Sequence, residues 1–245
     1  MRYEVTMEPS NRPWIMTLDA TPDPPQAPGF QAFMTSELVW TLSRPVVDLL
    51  RYRAESYPRF RHGPRSIAAL PPEYLQLPTD LNPRTMELAR QMRADPELAR
   101  GGAPALVRAA LQRLRTGGYQ YTLDPGVYGA NTADEFWFDR KQGFCEHIAS
   151  AFAVLMRAMD IPARVVTGYQ GGERNGVDNY WVVRQSDAHA WTEIWLAGEG
   201  WVRVDPTAAV APGRVGSLQR LQPPRGAFAA ALGDVTPGLA AALRE

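Results

Sequence analysis

The chain has 245 residues, 45% of them hydrophobic and 21% charged, which is enough for one large or two modest globular domains. Its 26 basic and 26 acidic residues cancel, so it lacks the basic excess of a nucleic-acid-binding protein. The only cysteine, Cys145, excludes an intramolecular disulfide and a cysteine-cluster zinc site. No apolar run reaches the length of about 18 residues that a membrane span needs, and the mixed, polar residues 1–10 do not indicate a signal peptide.

Strand-like alternation predicts a small β-rich region at the N-terminus, over residues 1–63. Its candidate strands are residues 3–7, 14–18 and 33–42, and prolines interrupt the chain between them. We therefore expect an antiparallel sheet here.

Residues 64–212 are predicted to form a second domain of mixed helix and strand. After a proline-rich connector, a first helix begins at Asn82-Pro83, because asparagine can cap a helix and proline suits its first position. A second helix covers residues 104–115 and ends before Gly117. The last residues, 213–245, form a weakly patterned tail with an alanine-rich end.

Cys145 lies where a loop is predicted to turn into a helix that runs to about residue 159. The unpaired amides and positive dipole of a helix start favour a thiolate, which is the nucleophilic form of cysteine. The same N–H groups can hold an oxyanion, and Gly143 lets a substrate approach the backbone. The alternative is a small packing residue, which the polar run Gly-Phe-Cys-Glu-His disfavours.

The stretch after this helix predicts four strands, at residues 164–169, 179–184, 188–196 and 201–205. A short turn near residue 197 or 198 joins the last two, so folding this hairpin places His189 opposite residue 205 or 206. An imidazole beside the Asp205 carboxylate is what a general base and its orienting partner require. Taken alone, an aspartate before Pro206 is also typical of a turn. The positions of His189 and Asp205 on opposite sides of the hairpin favour a catalytic role for the pair.

The other polar and aromatic residues near the predicted site have weaker claims. His147 points about 200° away from Cys145 on a helix, so we interpret it as structural or substrate-facing. Glu193 and Trp191 alternate with His189 along one strand face and are candidates for the wall of the site. His62 lies outside this stretch and is expected at the surface.

Four segments resemble the bacterial transglutaminase-like superfamily, in the order and spacing of that family. They are residues 143–152 (GFCEHIASAF), 160–169 (DIPARVVTGY), 188–193 (AHAWTE) and 201–207 (WVRVDPT). The resemblance covers about residues 130–210, with one departure: Asp160 stands where glycine is common. Residues 3–18 and 74–78 further resemble the branch whose catalytic domain lies outside the inner membrane, between membrane-spanning segments.

This resemblance implies an α+β, papain-like fold, in which a helix bearing the cysteine packs on an antiparallel sheet bearing histidine and aspartate. It implies Cys145, His189 and Asp205 as a catalytic triad, with no cofactor and no metal. It also implies a periplasmic location, with residues 213–245 leading toward a membrane segment in a longer, membrane-anchored protein. The chain has no Asp-rich loop of EF-hand spacing, so we expect no calcium requirement.

The family's triad supports several reactions, and the sequence does not choose among them. The first hypothesis is a protein-glutamine γ-glutamyltransferase, which forms a thioester on Cys145 and passes the acyl group to an amine or to water. Its partners would be proteins or peptides that bear glutamine and primary amines. The alternatives are a cysteine peptidase or amidase of the same fold and a non-catalytic binding module. The oligomeric state is not indicated.

Overall fold

The computed structural model describes residues 1–213 of the chain. The chain divides into two compact units, Met1–His62 and Gly63–Glu245, each described by itself below. Of the tail predicted over residues 213–245, only Gly213 lies within the described residues. Within residues 1–213, no helix combines the length and the apolar character that crossing a membrane demands.

The first unit holds two separate antiparallel strand pairs. β1 (Arg2–Met7) pairs with β4 (Leu50–Glu55), and β2 (Ala32–Met34) pairs with β3 (Trp40–Leu42). The core of this unit consists of seven buried residues: Ile15, Ala27, Trp40, Leu42, Val46, Leu50 and Tyr52.

Two of the strands predicted in this unit are wrong in detail. Residues 33–42 bend into the β2–β3 hairpin, and residues 14–18 contribute only an isolated bridge from Trp14 to Thr41. Tyrosine hydroxyls replace sheet partners there: Tyr52 donates to the Met16 carbonyl, and the Tyr3 hydroxyl accepts from the Leu18 amide. A backbone satisfied by side chains needs no sheet partner.

The second unit begins with helices. They are α1 (Pro83–Ala94), α2 (Pro96–Thr116), the single turn α3 (Thr132–Asp134), α4 (Cys145–Ala158) and the short α5 (Thr207–Val210). A π-helical turn, Glu135–Arg140, continues α3. The second helix begins at Pro96, eight residues before its predicted start, because the Asp95 side chain caps it by accepting from the Glu97 and Leu98 amides. The helix is kinked at Gly102, just before the predicted start at Pro104.

The strands of this unit form one three-stranded sheet and two short pairs. β7 (Ala163–Tyr169), β10 (Ala188–Leu196) and β11 (Gly200–Val204) lie in the order β11-β10-β7, all antiparallel. β5 (Gln120–Tyr121) runs parallel to β6 (Gln142–Gly143), and β8 (Glu173–Arg174) pairs with β9 (Trp181–Val182), which is shorter than predicted.

Helix α4 packs on the sheet and forms the centre of the larger core. Its inward face is apolar, and the side chains of Ile148, Phe152, Leu155 and Met156 are wholly buried there. Small residues keep the helix close to β10, where the Thr192 hydroxyl donates to the Ala149 carbonyl at 3.0 Å. The α+β class predicted from the sequence is thereby confirmed.

Candidate active site

Cys145 is the first residue of α4, and the strand before it fixes its position. β5 and β6 pair in parallel, with Tyr121 opposite Gly143, two residues before the cysteine. Any side chain at Gly143 would meet the His147 side chain, because an added Cβ would lie 2.7 Å from the His147 Cβ. No side chain caps the helix start, so its first N–H groups remain available to an anion.

His189 and Asp205 come from neighbouring strands of the sheet. His189 is the second residue of β10, and Asp205 directly follows β11. The imidazole Nε2–H donates to the Asp205 Oδ2 at 2.7 Å, and both side chains are about nine-tenths buried. The other carboxylate oxygen accepts from the Thr207 amide at 3.1 Å.

The hairpin register differs slightly from the predicted one. The β10–β11 ladder ends with Thr192 opposite Val204, so its continuation would place Trp191, and not His189, opposite Asp205. His189 and Asp205 are therefore diagonal neighbours, a distance that longer side chains span.

The structure brings Cys145 to this pair. Its thiol interacts with the His189 imidazole, the Ala190 backbone and the Tyr121 side chain, and Cys145 shares a small buried cluster with Ala190, against which Tyr121 packs. Because Nε2 of His189 faces Asp205, Nδ1 is the ring nitrogen left for the sulfur. The three residues singled out from the sequence thus form one connected cluster.

The electrostatics of the cluster favour charge separation. Burial opposes ionisation of Cys145, but the hydrogen bond from His189, with those of Ala190 and Tyr121, brings the pKa of the thiol below its ordinary value of 9.0. Burial also opposes the charged form of His189, yet its hydrogen bonds to Asp205 and Cys145 raise its pKa to about 9. A thiolate beside an imidazolium is the state these shifts support.

The other sequence candidates do not join this cluster. The His147 ring packs between Tyr128 and Phe144, with ring centroids 4.7 and 4.4 Å away, and burial lowers the pKa of His147. Glu193 is held in an ion pair with Arg164 at 2.8 Å. His62 belongs to the first unit.

Trp191 is closer to the cluster than these. Its ring is stacked 6.2 Å from that of His189, and the Arg203 guanidinium lies 4.0 Å above it. This position on the His189 face of β10 agrees with the predicted alternation.

Sequence reasoning missed Tyr121 at this site. The only local signal is the short run at residues 119–121, which follows Gly118 and has strand-forming side chains. Nothing in that run indicates a partner 24 residues further along the chain.

Within residues 1–213, no group of three His, Cys, Asp or Glu side chains is gathered as a metal ion would need. Calcium independence stays a prediction, which a comparison of turnover with calcium and with a chelator would check.

Comparison with known proteins agrees with this geometry. A family model described as the transglutaminase-like superfamily matches residues 88–206. The crystal structure of the periplasmic domain of TgpA from Pseudomonas aeruginosa is 41% identical and superimposes with a TM-score of 0.77, covering 88% of this chain and 72% of that one. The chain belongs to the transglutaminase-like superfamily. The family resemblance and the transglutaminase-like, papain-like fold predicted from the sequence are confirmed.

Two curated relatives are longer than this member of the family. A protein-glutamine gamma-glutamyltransferase of Pseudomonas aeruginosa is 42% identical over 215 residues, which are 88% of this chain and 31% of that protein. The uncharacterized protein YebA of Bacillus subtilis is 32% identical over 141 residues, 55% of this chain and 19% of the relative. The chain therefore spans less than a third of the length of either relative.

Proposed function

We propose that this chain is a protein-glutamine γ-glutamyltransferase that acts through a thioester on Cys145. The observation that carries the proposal is the hydrogen-bonded cluster Cys145–His189–Asp205, in which the thiol pKa is lowered and that of the imidazole is raised. The 42% identical relative named for this activity supports the choice of reaction.

In the acylation step, the Cys145 thiolate attacks the carboxamide carbon of a glutamine side chain. A C–S bond forms, and the carbonyl electron pair moves onto oxygen. As this pair returns, the C–N bond breaks and the imidazolium of His189 gives its proton to the departing ammonia. The product is a thioester, with His189 now neutral.

In the second step, the neutral imidazole accepts a proton from the nucleophile that attacks the thioester. A primary amine yields an isopeptide bond, whereas water yields glutamate; both regenerate the Cys145 thiolate. Asp205 holds the imidazole through Nε2 and stabilises its charged form without taking the proton.

The proposed partners are proteins or peptides that carry glutamine and primary amines. The proposed location is the extracytoplasmic side of a bacterial membrane, since the 41% identical structure is that of a periplasmic domain. Membrane anchoring of a longer protein belongs to the same proposal.

The test measures ammonia release and amine incorporation together on a glutamine-containing protein such as casein, with a fluorescent primary amine. The wild-type chain is expected to release ammonia and to label the substrate, and Cys145→Ala to do neither at an unchanged melting temperature. Ammonia release without labelling would indicate a deamidase, and new peptide N-termini would indicate a peptidase. Activity in Cys145→Ala would sink the proposal.

A second comparison identifies the base. His189→Ala removes the imidazole bonded to Cys145, whereas His147→Ala removes one packed between two aromatic rings. We expect severe loss of turnover only for the first, measured per folded molecule. Equal losses of turnover in the two variants would contradict the assignment of His189 as the base.

A further inference from the structure

Residues 170–187 form an arm that leaves the sheet at the catalytic histidine. The arm connects β7 to β10 and folds back on itself through the β8–β9 pair. The Gln170 amide donates to the Asp187 carbonyl at 2.9 Å and closes the base of the arm, two residues before His189. The arm therefore continues the β7–β10 pair beyond the end of the sheet that bears the catalytic histidine.

Arg203 joins the base of the arm to the catalytic cluster. Its guanidinium donates to the Gln170 Oε1 at 2.8 Å and lies 4.0 Å above the ring of Trp191. Trp191 is in turn stacked on His189, and a guanidinium nitrogen of Arg203 lies 3.9 Å from the Asp205 carboxylate. The arm thus begins next to the residues that touch the triad.

The arm exposes a cluster of large apolar side chains. They are between 50% and 93% exposed, and they are Val177, Tyr180, Trp181 and Val183. Half of the exposed large hydrophobic residues within residues 63–213 lie in this seven-residue stretch. Single apolar residues are ordinary at a protein surface, whereas a contiguous group of them marks a place where another molecule binds. Tryptophan and tyrosine are also the side chains that contribute most to binding at interfaces.

Polar contacts hold the backbone of the arm in this shape. Arg184 donates to the Glu173 carboxylate at 3.1 Å, across the β8–β9 pair. Arg174 donates to the Asn179 side chain at 2.7 Å, and the Asn175 Oδ1 accepts from two amides of the turn at 2.8 Å each. The apolar side chains therefore project from an ordered hairpin, so a partner that covers them pays little for ordering the backbone.

The charges of the arm favour a polypeptide over a lipid surface as its partner. Its acidic residues are Glu173, Asp178 and Asp187, and its basic residues are Arg174 and Arg184. Elements that bind anionic membranes carry an excess of lysine and arginine. The arm has no such excess, and both of its arginines are engaged within the hairpin.

We propose that the arm binds the polypeptide that carries the reactive glutamine, through apolar side chains that flank that glutamine. The inference rests on the proposed function and names its substrate class, a glutamine with apolar neighbours on an accessible chain segment. Cys145 is buried, so the glutamine side chain must enter the site while its neighbours stay outside. The arm offers these neighbours an apolar surface next to His189.

The experiment compares two acetylated pentapeptide amides, one with glutamine between leucines and one with glutamine between serines. Ammonia release gives kcat and KM for each peptide, and p-nitrophenyl acetate serves as a small acyl donor without flanking residues. We expect the wild-type chain to prefer the leucine peptide. Trp181→Ser should lower kcat/KM for that peptide about tenfold, mainly through KM, because the contact it removes is made equally in the bound and transition states. Its rates with the serine peptide and the ester should stay within about twofold of wild type.

Two further variants separate binding from folding. Trp181→Leu keeps an apolar side chain at the same place and should retain the preference for the leucine peptide, within about threefold of wild type. Ile67→Ser is the matched control, because Ile67 is 51% exposed and lies outside the arm. We expect both of its peptide rates to stay within about twofold of wild type.

Four results would overturn the inference. They are a wild-type chain without preference for the leucine peptide, an equal loss with both peptides and the ester in Trp181→Ser, a loss of the same size in Ile67→Ser, and a change confined to the KM of the amine. The last would assign the arm to the acceptor. The arm would equally be reassigned if Trp181→Ser kept the peptide preference but abolished self-association in light scattering, or binding to vesicles of phosphatidylethanolamine and phosphatidylglycerol.

Failure of the proposed function gives a different pattern. A wild-type chain that releases no ammonia from either peptide would refute the glutamine reaction. Fluorescence anisotropy of the labelled leucine peptide would then still decide the role of the arm, with Cys145→Ala as the binding protein. Tighter binding to Cys145→Ala than to its double variant with Trp181→Ser would support the arm as a binding surface for a polypeptide, and equal binding would refute it.

Discussion

At Cys145 two opposing effects meet, and their balance sets the chemistry. Burial alone would keep the thiol protonated, but the interactions with His189, Ala190 and Tyr121 together outweigh it and lower the pKa of the thiol. For His189, too, burial works against the charged form, and hydrogen bonds to Asp205 and Cys145 prevail to raise its pKa to about 9. Each partner stabilises the ionised form of the other, so the pair is ionised between the two pKa values.

These shifts predict the pH dependence. Because the pKa of the Cys145 thiol is below 9.0, the thiolate persists to lower pH than in an ordinary cysteine. Because the pKa of His189 is about 9, the imidazolium that protonates ammonia is lost above about pH 9. Turnover should therefore fall above about pH 9 and also fall at low pH, when the thiol is protonated.

Iodoacetamide rates measured against pH would check the low-pH limb directly. In His189→Ala the thiol keeps its burial but loses its strongest stabilising hydrogen bond, so the inflection should move to higher pH. His147→Ala serves as the control. An inflection that stays in place in His189→Ala would contradict the assignment.

Asp205 makes one contact that orients His189 and one that supports the backbone, so its replacement should affect both turnover and stability. One carboxylate oxygen accepts from His189 and the other from the Thr207 amide. We expect Asp205→Ala to lower kcat about 10³-fold with KM nearly unchanged, and to lower the melting temperature as well.

Asp205→Asn separates these two effects. Its amide oxygen can still accept from the Thr207 N–H, so the melting temperature should recover. Its NH₂ group cannot accept from the His189 Nε2–H, so kcat should recover only in part. Wild-type kcat in the folded fraction of Asp205→Ala would leave a Cys–His dyad as the catalytic unit.

The difference between Tyr121 and the other site residues shows what sequence reasoning can reach. Cys145, His189 and Asp205 were predictable because a helix start and one hairpin place them locally. Tyr121 reaches the cluster around Cys145 through the parallel pairing of β5 with β6, and the sequence does not encode that pairing at short range.

At the scale of elements, two helix starts cap each other. Asp134 accepts at both oxygens: Oδ2 from the Arg84 amide at 2.9 Å, and Oδ1 from the Thr85 amide at 2.7 Å and the Thr85 hydroxyl at 2.6 Å. In return, the Asn82 Oδ1 accepts from the Ala133 and Asp134 amides, at 2.9 and 3.2 Å. The N-termini of α1 and α3 are thus locked together.

This arrangement also explains why the local capping rule was only half right. Asn82-Pro83 does begin the helix, as predicted, but Asn82 has a left-handed backbone (φ 55°) and does not cap its own helix. The cap comes from Asp134, about fifty residues later. A local rule finds the boundary because proline fits there, and it misses a partner supplied by tertiary structure.

Replacing Asp134 should therefore lower the stability of the fold substantially. Asp134→Ala leaves two backbone amides and a buried hydroxyl without partners, so we expect a loss of about 2–4 kcal/mol in the free energy of unfolding. Asp139→Ala is the control: it removes a half-exposed ion pair with Arg84 and should cost less than about 1 kcal/mol. Urea unfolding of both variants would check this, and equal losses would contradict it.

At the scale of the whole molecule, each of the two units has a main hydrophobic core of its own among residues 1–213. One belongs to residues 1–62 and is centred on Trp40, Leu42 and Tyr52; the other surrounds α4 and includes Phe152 and Leu155. The second was largely predictable, because α4 has a strong helical apolar stripe and β10 a clear hairpin. The first was not, because its strands are short and tyrosine hydroxyls satisfy part of its backbone.

Two cores predict that damage to one leaves the other intact. Leu42 is 4% exposed in the first core and Leu155 is fully buried in the second, so an alanine at either position should destabilise its own unit by about 2–5 kcal/mol. The readouts are tryptophan fluorescence and the iodoacetamide reactivity of Cys145, both followed in increasing urea. Leu42→Ala should shift part of the fluorescence change to lower urea and leave the alkylation profile in place, because the thiol environment depends on α4 and β10. Leu155→Ala should shift the alkylation profile itself. If Leu42→Ala moved both readouts together, the two cores would unfold as one cooperative unit, and the N-terminal strands would have to be counted among the elements that hold the site.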